Sequence, residues 1–284
     1  MASPKQVAQQ VLESLPDDCS LEEIQYRLYV RQMVEEGVLK GANPPEAIFG
    51  LHVGPMASGT INYVKGAAMA GADMFDISVQ GKQTHGSSPW TGVDPVVVAA
   101  EQILALQLIP SRHVNITTNP TIISIGSIHG GNRGNIIPGQ VEMQGTLRTF
   151  NMEDREMIVE RMHKTIDNIA AMHGATAELS FDLHYPVTYN EPELLESLLP
   201  AMREAAGAAN VREMDALTGS EDFSFFSQEI PGVYLFLGTA PADPARRFYN
   251  HSPGFDVDEA ALKVGVKTLA YMTYDYMVLN AGGE

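Results

Sequence analysis

The sequence contains a single cysteine, Cys19, in 284 residues. An internal disulfide needs two cysteines, so a fold held together by disulfides is excluded. A chain of this length can bury a sizeable hydrophobic core in one large domain or two smaller ones. The hydrophobic fraction of 44% and the charged fraction of 19% are typical of a globular protein.

Basic residues are scarce, with 18 lysines and arginines against 35 acidic residues and a formal net charge of −17. Such an acidic surface repels phosphate backbones and anionic lipid headgroups. We therefore expect no nucleic acid and no membrane among the partners of this protein.

Long apolar runs are lacking as well. No run approaches the roughly 20 residues that span a bilayer. The N-terminus lacks the basic start and apolar core of a secretory signal peptide. These features predict a cytoplasmic protein.

Residues 1–32 carry a pattern of their own. Apolar positions at helical spacing predict one short helix over residues 5–15 and a second over residues 20–36. Ser20 and Glu23 form a capping box at the start of the second helix. The sequence therefore predicts a helical hairpin ahead of the rest of the chain.

Residues 73–184 carry the clearest pattern of strands and helices. Alternating apolar residues predict a first strand near residues 75–79, and Asp94-Pro95 predicts the start of a helix that runs to Leu108. Two further strands, a long helix over Glu153–His173 and a last strand follow. The order βαββαβ predicts a ferredoxin-like domain.

Residues 33–72 and 185–284 flank this domain on both sides. They show helix patterns near 191–207, 221–228 and 258–279, and a strand pattern at 233–237. The predicted fold class is therefore α/β: an α/β domain interrupted by an inserted ferredoxin-like α+β domain.

Two histidines lie in settings that suit metal ligands. His52 follows the apolar run that begins at Ile48, and His251 follows the apolar run 233–237. Both are predicted at the ends of buried strands, where a neutral imidazole can bind zinc. The simpler interpretation of either residue is a hydrogen-bonded core or loop histidine. Glu221 and Asp222 could add carboxylate ligands, or could be acids favoured at a helix start.

Three further polar residues are candidates for substrate contacts. His85 lies in a glycine-rich loop after a strand, where functional side chains are often found. Arg148 offers a two-pronged donor for a carboxylate, and Asn135 from the same hairpin can add another donor. Alternatively, these residues are exposed turn and hairpin side chains. No Gly-x-Ser-x-Gly motif or phosphate-binding loop is present in the sequence.

Together these motifs resemble one family. The matching segments are Met33–Leu39, Gly50–Val53, Gly81–His85, Gly92–Pro95, Asn135–Pro138, Gly145–Thr149, Gly219–Phe223 and His251–Pro253. In this order they make residues 33–284 similar to the M20 metallopeptidases, in the branch of aminoacylases, hippurate hydrolases and auxin-conjugate hydrolases.

The resemblance implies a hydrolase of N-acyl amino acids with two divalent metal ions, zinc or manganese. It assigns His52 and His251 as metal ligands, and His85 as the group that polarises the scissile carbonyl across a dimer interface. Asn135 and Arg148 would hold the substrate carboxylate. The substrate would also contact Gly219, Ser220 and Glu221. The ferredoxin-like domain would be the lid and the dimerisation domain of a homodimer.

The sequence departs from the family pattern ahead of residue 33. It has no His-x-x-Gly-His-Asp-like segment, so a histidine ligand, the bridging ligand and the glutamate base are expected to be missing. The Glu35-Glu36 pair corresponds to a later family position. The resemblance therefore implies a truncated zinc-peptidase-like α/β domain. Residues 1–32 are instead similar to short bacterial addiction-module proteins.

Three functions stay open at this point. The first is an amidohydrolase impaired by the missing catalytic half, which we expect to bind less than stoichiometric zinc. The second is a non-catalytic dimeric remnant or ligand-binding protein. The third is a regulatory fusion whose antitoxin-like N-terminus binds a toxin-like partner.

Overall fold

The computed structural model describes residues 30–281, apart from the side chains of residues 183 and 184. The predicted helix over 5–15 and most of the one over 20–36 lie outside the described residues; residues 30–35 are helical. The chain divides into two compact units, which are described separately. The described part of the first unit comprises residues 30–69, 188–217 and 221–281, and the second unit comprises residues 70–187 and 218–220.

The strands are β1 (Ile48–Ala57), β2 (Ile61–Tyr63), β3 (Gly66–Met69), β4 (Gly71–Gln80), β5 (Thr84–His85), β6 (Thr121–Gly130), β7 (Ile136–Ile137), β8 (Gln140–Thr149), β9 (Thr176–Tyr185), β10 (Thr188–Asn190), β11 (Val211–Glu213) and β12 (Gly232–Ala240). The helices are α1 (Pro95–Leu106), α2 (Leu108–His113), α3 (Met152–Met172), α4 (Pro192–Ala206), α5 (Phe223–Ser227) and α6 (Glu259–Asn280). Short 3₁₀ turns cover Pro89–Thr91, Ala208–Asn210 and Pro244–Arg246. None of the described helices is both long enough and apolar enough to cross a membrane.

The first unit is built on a four-stranded sheet in the order β1-β12-β2-β11. Strand β1 runs parallel to β12, with His52 opposite Phe236. Strand β12 is buried along nearly its whole length, because it is an almost continuous apolar run in the interior of the sheet. Helices α4 and α6 pack together, and Leu195, Leu198 and Met202 of α4 share a hydrophobic core with β12. A separate two-stranded ribbon is formed by β3 and β10, and its strand β10 contacts β12 of this sheet.

The second unit is built on an antiparallel sheet in the order β6-β8-β4-β9. Its strands and helices follow the chain in the order β-α-β-β-α-β when the short α2 and the ribbon β5–β7 are set aside. Strand β8 alternates between buried and exposed residues, so one sheet face packs under α1 and α3. The core includes Phe75, Met143, Leu147, Ile158 and Met162.

Helix α1 differs from its prediction at its C-terminal end. Asp94 caps its start, because the side chain accepts a hydrogen bond from the backbone N–H of Val96 at 2.9 Å. The predicted end at Leu108 is wrong: α1 ends at Leu106, and α2 begins at Leu108 after Gln107. The apolar spacing continues through the break, so sequence periodicity did not reveal it.

Candidate functional site

His52 lies in the middle of β1, not at its end as predicted. Its ring is half-buried beside the rings of Tyr234 and Phe236, with centroids 6.4 and 6.2 Å away. Nδ1 of His52 lies 2.5 Å from the carbonyl oxygen of Val53. Because a carbonyl oxygen can only accept, Nδ1 carries the proton and the lone pair of Nε2 is available. This is the tautomer that a histidine needs to bind a metal through Nε2.

His251 is not at a strand end either. It is an exposed residue in the turn that follows Pro244–Arg246, and it adopts a left-handed backbone with φ of +66°. The preceding Asn250 donates from its side-chain amide to the carbonyl oxygen of Val53 at 3.1 Å. The same carbonyl therefore contacts both the His52 ring and the residue before His251. The structure brings the two predicted metal ligands into one neighbourhood.

Glu221, just ahead of α5, is connected to His52 through Tyr234. Its Oε2 accepts a hydrogen bond from the hydroxyl of Tyr234 at 3.0 Å, and Tyr234 contacts the ring of His52. Within residues 30–281, however, no group of three or more His, Cys, Asp or Glu residues is placed to hold a metal ion. Catalytic zinc sites use three protein ligands, so the two histidines do not make a complete site by themselves.

His85 lies in the second unit on the ribbon formed by β5 and β7. It is exposed and pairs with Ile136, and the backbone N–H of Gly86 donates to the carbonyl of Asn135 at 2.8 Å. The structure thus brings His85 and Asn135 together. The backbone N–H of Ser87 donates to Nδ1 of His85 at 3.1 Å, and the Ser87 hydroxyl lies 2.8 Å from the same nitrogen. Nδ1 is therefore an acceptor, so the ring carries its proton on Nε2, free to donate outward.

Arg148 lies near the end of β8, with a half-buried side chain. Burial lowers the pKa of its guanidinium, whereas the charge of Asp73 raises it. The group stays charged at neutral pH. It donates to the hydroxyl of Ser220 at 3.2 Å, and no carboxylate of the described residues forms an ion pair with it. Gly219 lies exposed beside Ser220.

Arg148 is separated from His85 and Asn135 within one chain. Asn135 lies just before β7, at the Gln140 end of β8, and Arg148 lies near the other end. Eight residue steps along an extended strand span roughly 27 Å. A single small substrate therefore cannot contact Arg148 and Asn135 of the same chain.

Four polar groups that help to build these sites were not predicted from the sequence. They are the carbonyl of Val53, the amide of Asn250, the backbone of Ser87 and the hydroxyl of Tyr234. Two of them are backbone groups, which every residue carries, so no residue type marks them. Asn250 is adjacent to His251, and that adjacency was the one available signal.

The sequence pattern of peptidase family M20/M25/M40 matches residues 22–275. The chain belongs to this family. It is 36% identical over 248 residues to thermostable carboxypeptidase 2 of Saccharolobus solfataricus, covering 87% of this chain and 61% of that protein. It is 35% identical over 243 residues to N-acetylcysteine deacetylase of Bacillus subtilis, covering 84% of this chain and 60% of that protein.

Solved structures agree with this assignment. The fold resembles the Bacillus subtilis YXEP protein, described as a dinuclear metal-binding peptidase of family M20, with a TM-score of 0.66 and 32% identity. That match covers 86% of this chain and 60% of that chain. The chain thus spans about three fifths of the length of the relatives that it matches. It is an α/β protein of the M20 type.

Proposed function

We propose that this protein acts as an M20-type amidohydrolase that releases amino acids from N-acyl amino acids. The observation that carries the proposal is Arg148, a half-buried cation with a hydroxyl partner and no carboxylate partner among the described residues. The free carboxylate of an N-acyl amino acid fits such a guanidinium, because the two groups can form paired charge-assisted hydrogen bonds. Similarity to a deacetylase of an N-acetyl amino acid supports this substrate class.

His85 would act on the other end of the substrate. Its Nε2–H donates outward, because Ser87 occupies Nδ1. A donor placed on the scissile carbonyl oxygen stabilises the negative charge that develops there when the amide is attacked, typically by 10²–10³ in rate. Asn135, just before the facing strand β7, lies beside His85 and can contact the same region of the substrate.

The separation of about 27 Å along β8 supports a site that combines residues of two chains. Arg148 of one chain and His85 with Asn135 of a second chain can meet one substrate, since a two-fold dimer makes each contact twice. We place the dimer contact in the second unit, as a ferredoxin-like lid and dimerisation domain. In this arrangement residues 33–72 and 185–284 form the metallopeptidase-type domain.

The described residues supply part of the ligand set that a divalent metal, zinc or manganese, would need. The Nε2 lone pair of His52 is free, and His251 lies nearby, so both can be ligands. A similar peptidase is described as dinuclear. The described residues supply only these two imidazoles, with no cluster of three ligands. They therefore do not form a metal centre by themselves.

Mixing two inactive variants tests the shared site. We expect H85A and R148A each to lose at least about 100-fold in hydrolysis of N-acetylmethionine. When the two are unfolded together and refolded, random pairing yields half heterodimers, each with one intact site, so about one quarter of wild-type activity returns. A matched mixture of H85A with H85A/R148A has no intact site and should stay inactive. Activity that does not return in the first mixture would contradict the proposal.

The absence of a three-ligand cluster in residues 30–281 favours a second candidate, a dimeric binding protein without catalysis. Calorimetry with N-acetylmethionine, together with metal analysis of the purified chain, distinguishes the binding protein from the hydrolase. Ligand binding with less than one zinc per chain and no turnover would establish the binding protein. Two tightly held metals with rapid turnover would establish the hydrolase.

A further inference from the structure

The first unit contains a cavity of about 360 Å³ at one end of its sheet. Strands β1 and β12 run parallel, and their last residues, Ala57 and Ala240, pair with each other and line this cavity. In α/β proteins small ligands bind outside the carboxyl ends of parallel strands. A volume of a few hundred Å³ is also typical of pockets for small ligands. The position and the size of the cavity therefore both suit a small molecule.

One wall of the cavity carries Arg247 in a fixed orientation. Its Nε donates to the carbonyl of Pro241 at 2.8 Å, and its Nη2 donates to the carbonyl of Ala242 at 3.1 Å. A guanidinium has five N–H donors, so three of them remain for a ligand. The neighbouring Arg246 pairs with Asp256, whereas no carboxylate within residues 30–281 pairs with Arg247. The cavity therefore presents a cation that is held in place by carbonyl groups alone.

Another wall carries Asp258, which caps the start of α6. Its Oδ2 accepts from the hydroxyl of Ser58 at 2.6 Å, and its Oδ1 accepts from the backbone N–H of Ala260 at 3.1 Å. These two hydrogen bonds lower the pKa of Asp258, so the group is ionised at neutral pH. A carboxylate offers about four lone-pair positions, so about two of them stay open to a further donor.

Arg247 and Asp258 line the same cavity, yet they do not form an ion pair with each other. Arg247 is exposed and Asp258 is half-buried, so a ligand can reach both from solvent. Apart from Ser58, the other lining residues are small or apolar, namely Pro55, Ala57, Ala240 and Ala242. Alanine side chains leave open the volume that larger residues would fill. The cavity thus combines one positive group, one negative group and apolar space.

We infer that this cavity binds a free α-amino acid in its zwitterionic form. The carboxylate of the ligand accepts hydrogen bonds from Arg247, and its ammonium group donates to Asp258. The ligand side chain lies against the alanines. A simple carboxylate leaves Asp258 without a partner, and a simple amine leaves Arg247 without one, so the zwitterion is preferred over both.

This amino-acid site goes beyond the proposed hydrolysis and does not depend on it. A free amino acid is a product of the proposed reaction, so an enzyme with this site binds its product at a second place. Neither His52 nor His251 lines the cavity, and Arg148 belongs to the second unit. The residues that would bind the product are therefore not those proposed to act on the substrate.

Three ligands with the same branched chain test the need for both charges. L-leucine carries a carboxylate and an ammonium group, 4-methylpentanoate carries only the carboxylate, and 3-methylbutylamine carries only the ammonium group. NMR titration of the full-length protein should give saturable binding of L-leucine with a Kd of about 1 mM, because both charged groups of the cavity contact solvent. Each of the other two ligands should bind at least about tenfold more weakly.

Two substitutions remove one charge each and preserve the local structure. D258N keeps a side chain that caps a helix as well as aspartate does, and R247Q keeps an amide donor for the nearby carbonyls. Either variant should weaken L-leucine at least about tenfold. D243N and R246Q are the matched controls, because these residues flank or form the 3₁₀ turn Pro244–Arg246 and do not line the cavity. They should change the affinity less than about twofold, and thermal unfolding verifies that every variant is folded.

The variant R148A distinguishes this cavity from the proposed substrate site. L-leucine binding that survives R148A and falls in D258N supports the inference. Binding that is lost in R148A and kept in D258N would place the amino acid at the substrate site, which overturns the inference and leaves the proposed function intact. Equal affinities for the three ligands, or no saturable binding of L-leucine to folded wild-type protein, would also overturn it. Hydrolysis of N-acetylmethionine tests the proposed function separately.

Discussion

Asp73 is a buried carboxylate of the second unit. Its side chain is 1% exposed and accepts two hydrogen bonds from Arg155, at 2.8 and 2.6 Å. Burial raises the pKa of Asp73, and the bonds from Arg155 lower it part of the way back. The cost of removing both charges from water therefore offsets much of their attraction.

We predict that D73N lowers the free energy of unfolding by about 3 kcal/mol, because it leaves Arg155 without a counter-charge in a partly buried place. The double variant D73L/R155M should recover most of this loss. The control E160Q breaks the exposed pair with Lys164 and should leave the free energy of unfolding nearly unchanged. Urea titration measures all three. A double variant no more stable than D73N would show that the pair is net stabilising.

Residue identities were predictable at the candidate sites, but their chemical states were not. The histidines, Asn135 and Arg148 are visible as residue types in recognisable segments. The proton position on His52 depends on the carbonyl of Val53, and that on His85 depends on the backbone of Ser87. Backbone geometry of this kind appears only when the chain is folded.

Among the elements, β10 depends on one buried asparagine. Asn190 is fully buried, and its side-chain amide donates to the carbonyls of Val64 and Tyr234 at 2.9 and 3.0 Å. Its oxygen accepts from the backbone N–H of Tyr234 at 2.6 Å. A single side chain thus joins β10 to β12 and to the segment before β3.

N190A should lower the free energy of unfolding by about 3 kcal/mol, because it removes three hydrogen bonds to backbone groups of buried residues. Asn210 provides the comparison, since it is exposed and its side-chain amide donates to the carbonyl of Ala206. N210A should change stability by less than about 0.5 kcal/mol. Thermal unfolding of the two variants side by side measures the difference. Equal effects would mean that solvent replaces the lost contacts of Asn190.

Long elements were predictable from periodicity, and short ones were not. The helix predicted near 191–207 is α4, Pro192–Ala206, and the one predicted near 258–279 is α6, Glu259–Asn280. The strands β2, β3, β10 and β11 have three or four residues each. Such segments are too short to show a period, and pairing with distant strands defines them.

For the molecule as a whole, the two units have separate hydrophobic cores. Every residue of the second core lies between residues 75 and 181. The sequence placed Asn135 and Arg148 in one hairpin and suggested one shared carboxylate site. The length of β8 separates them, and a strand length of ten residues is set by pairing with β4 and β6.

We predict that a fragment comprising residues 70–187 folds alone, because it is contiguous and carries its complete sheet, α1 and α3. It should show one cooperative thermal transition by circular dichroism. A fragment of residues 70–151 lacks α3 and β9 and should show none. Limited proteolysis of the full chain should leave a product near the longer fragment. Equal protection of residues 37–69 would contradict the independence of this unit.

The left-handed backbone of His251 affects which residues at this position give the most stable protein. Glycine adopts φ of +66° without strain, whereas other residues with a Cβ pay roughly 1 kcal/mol or more. A saturation library selected only for folded protein should therefore enrich glycine over histidine at position 251. A library selected for turnover should keep histidine. Divergence between the two selections would locate a functional residue without any knowledge of the substrate.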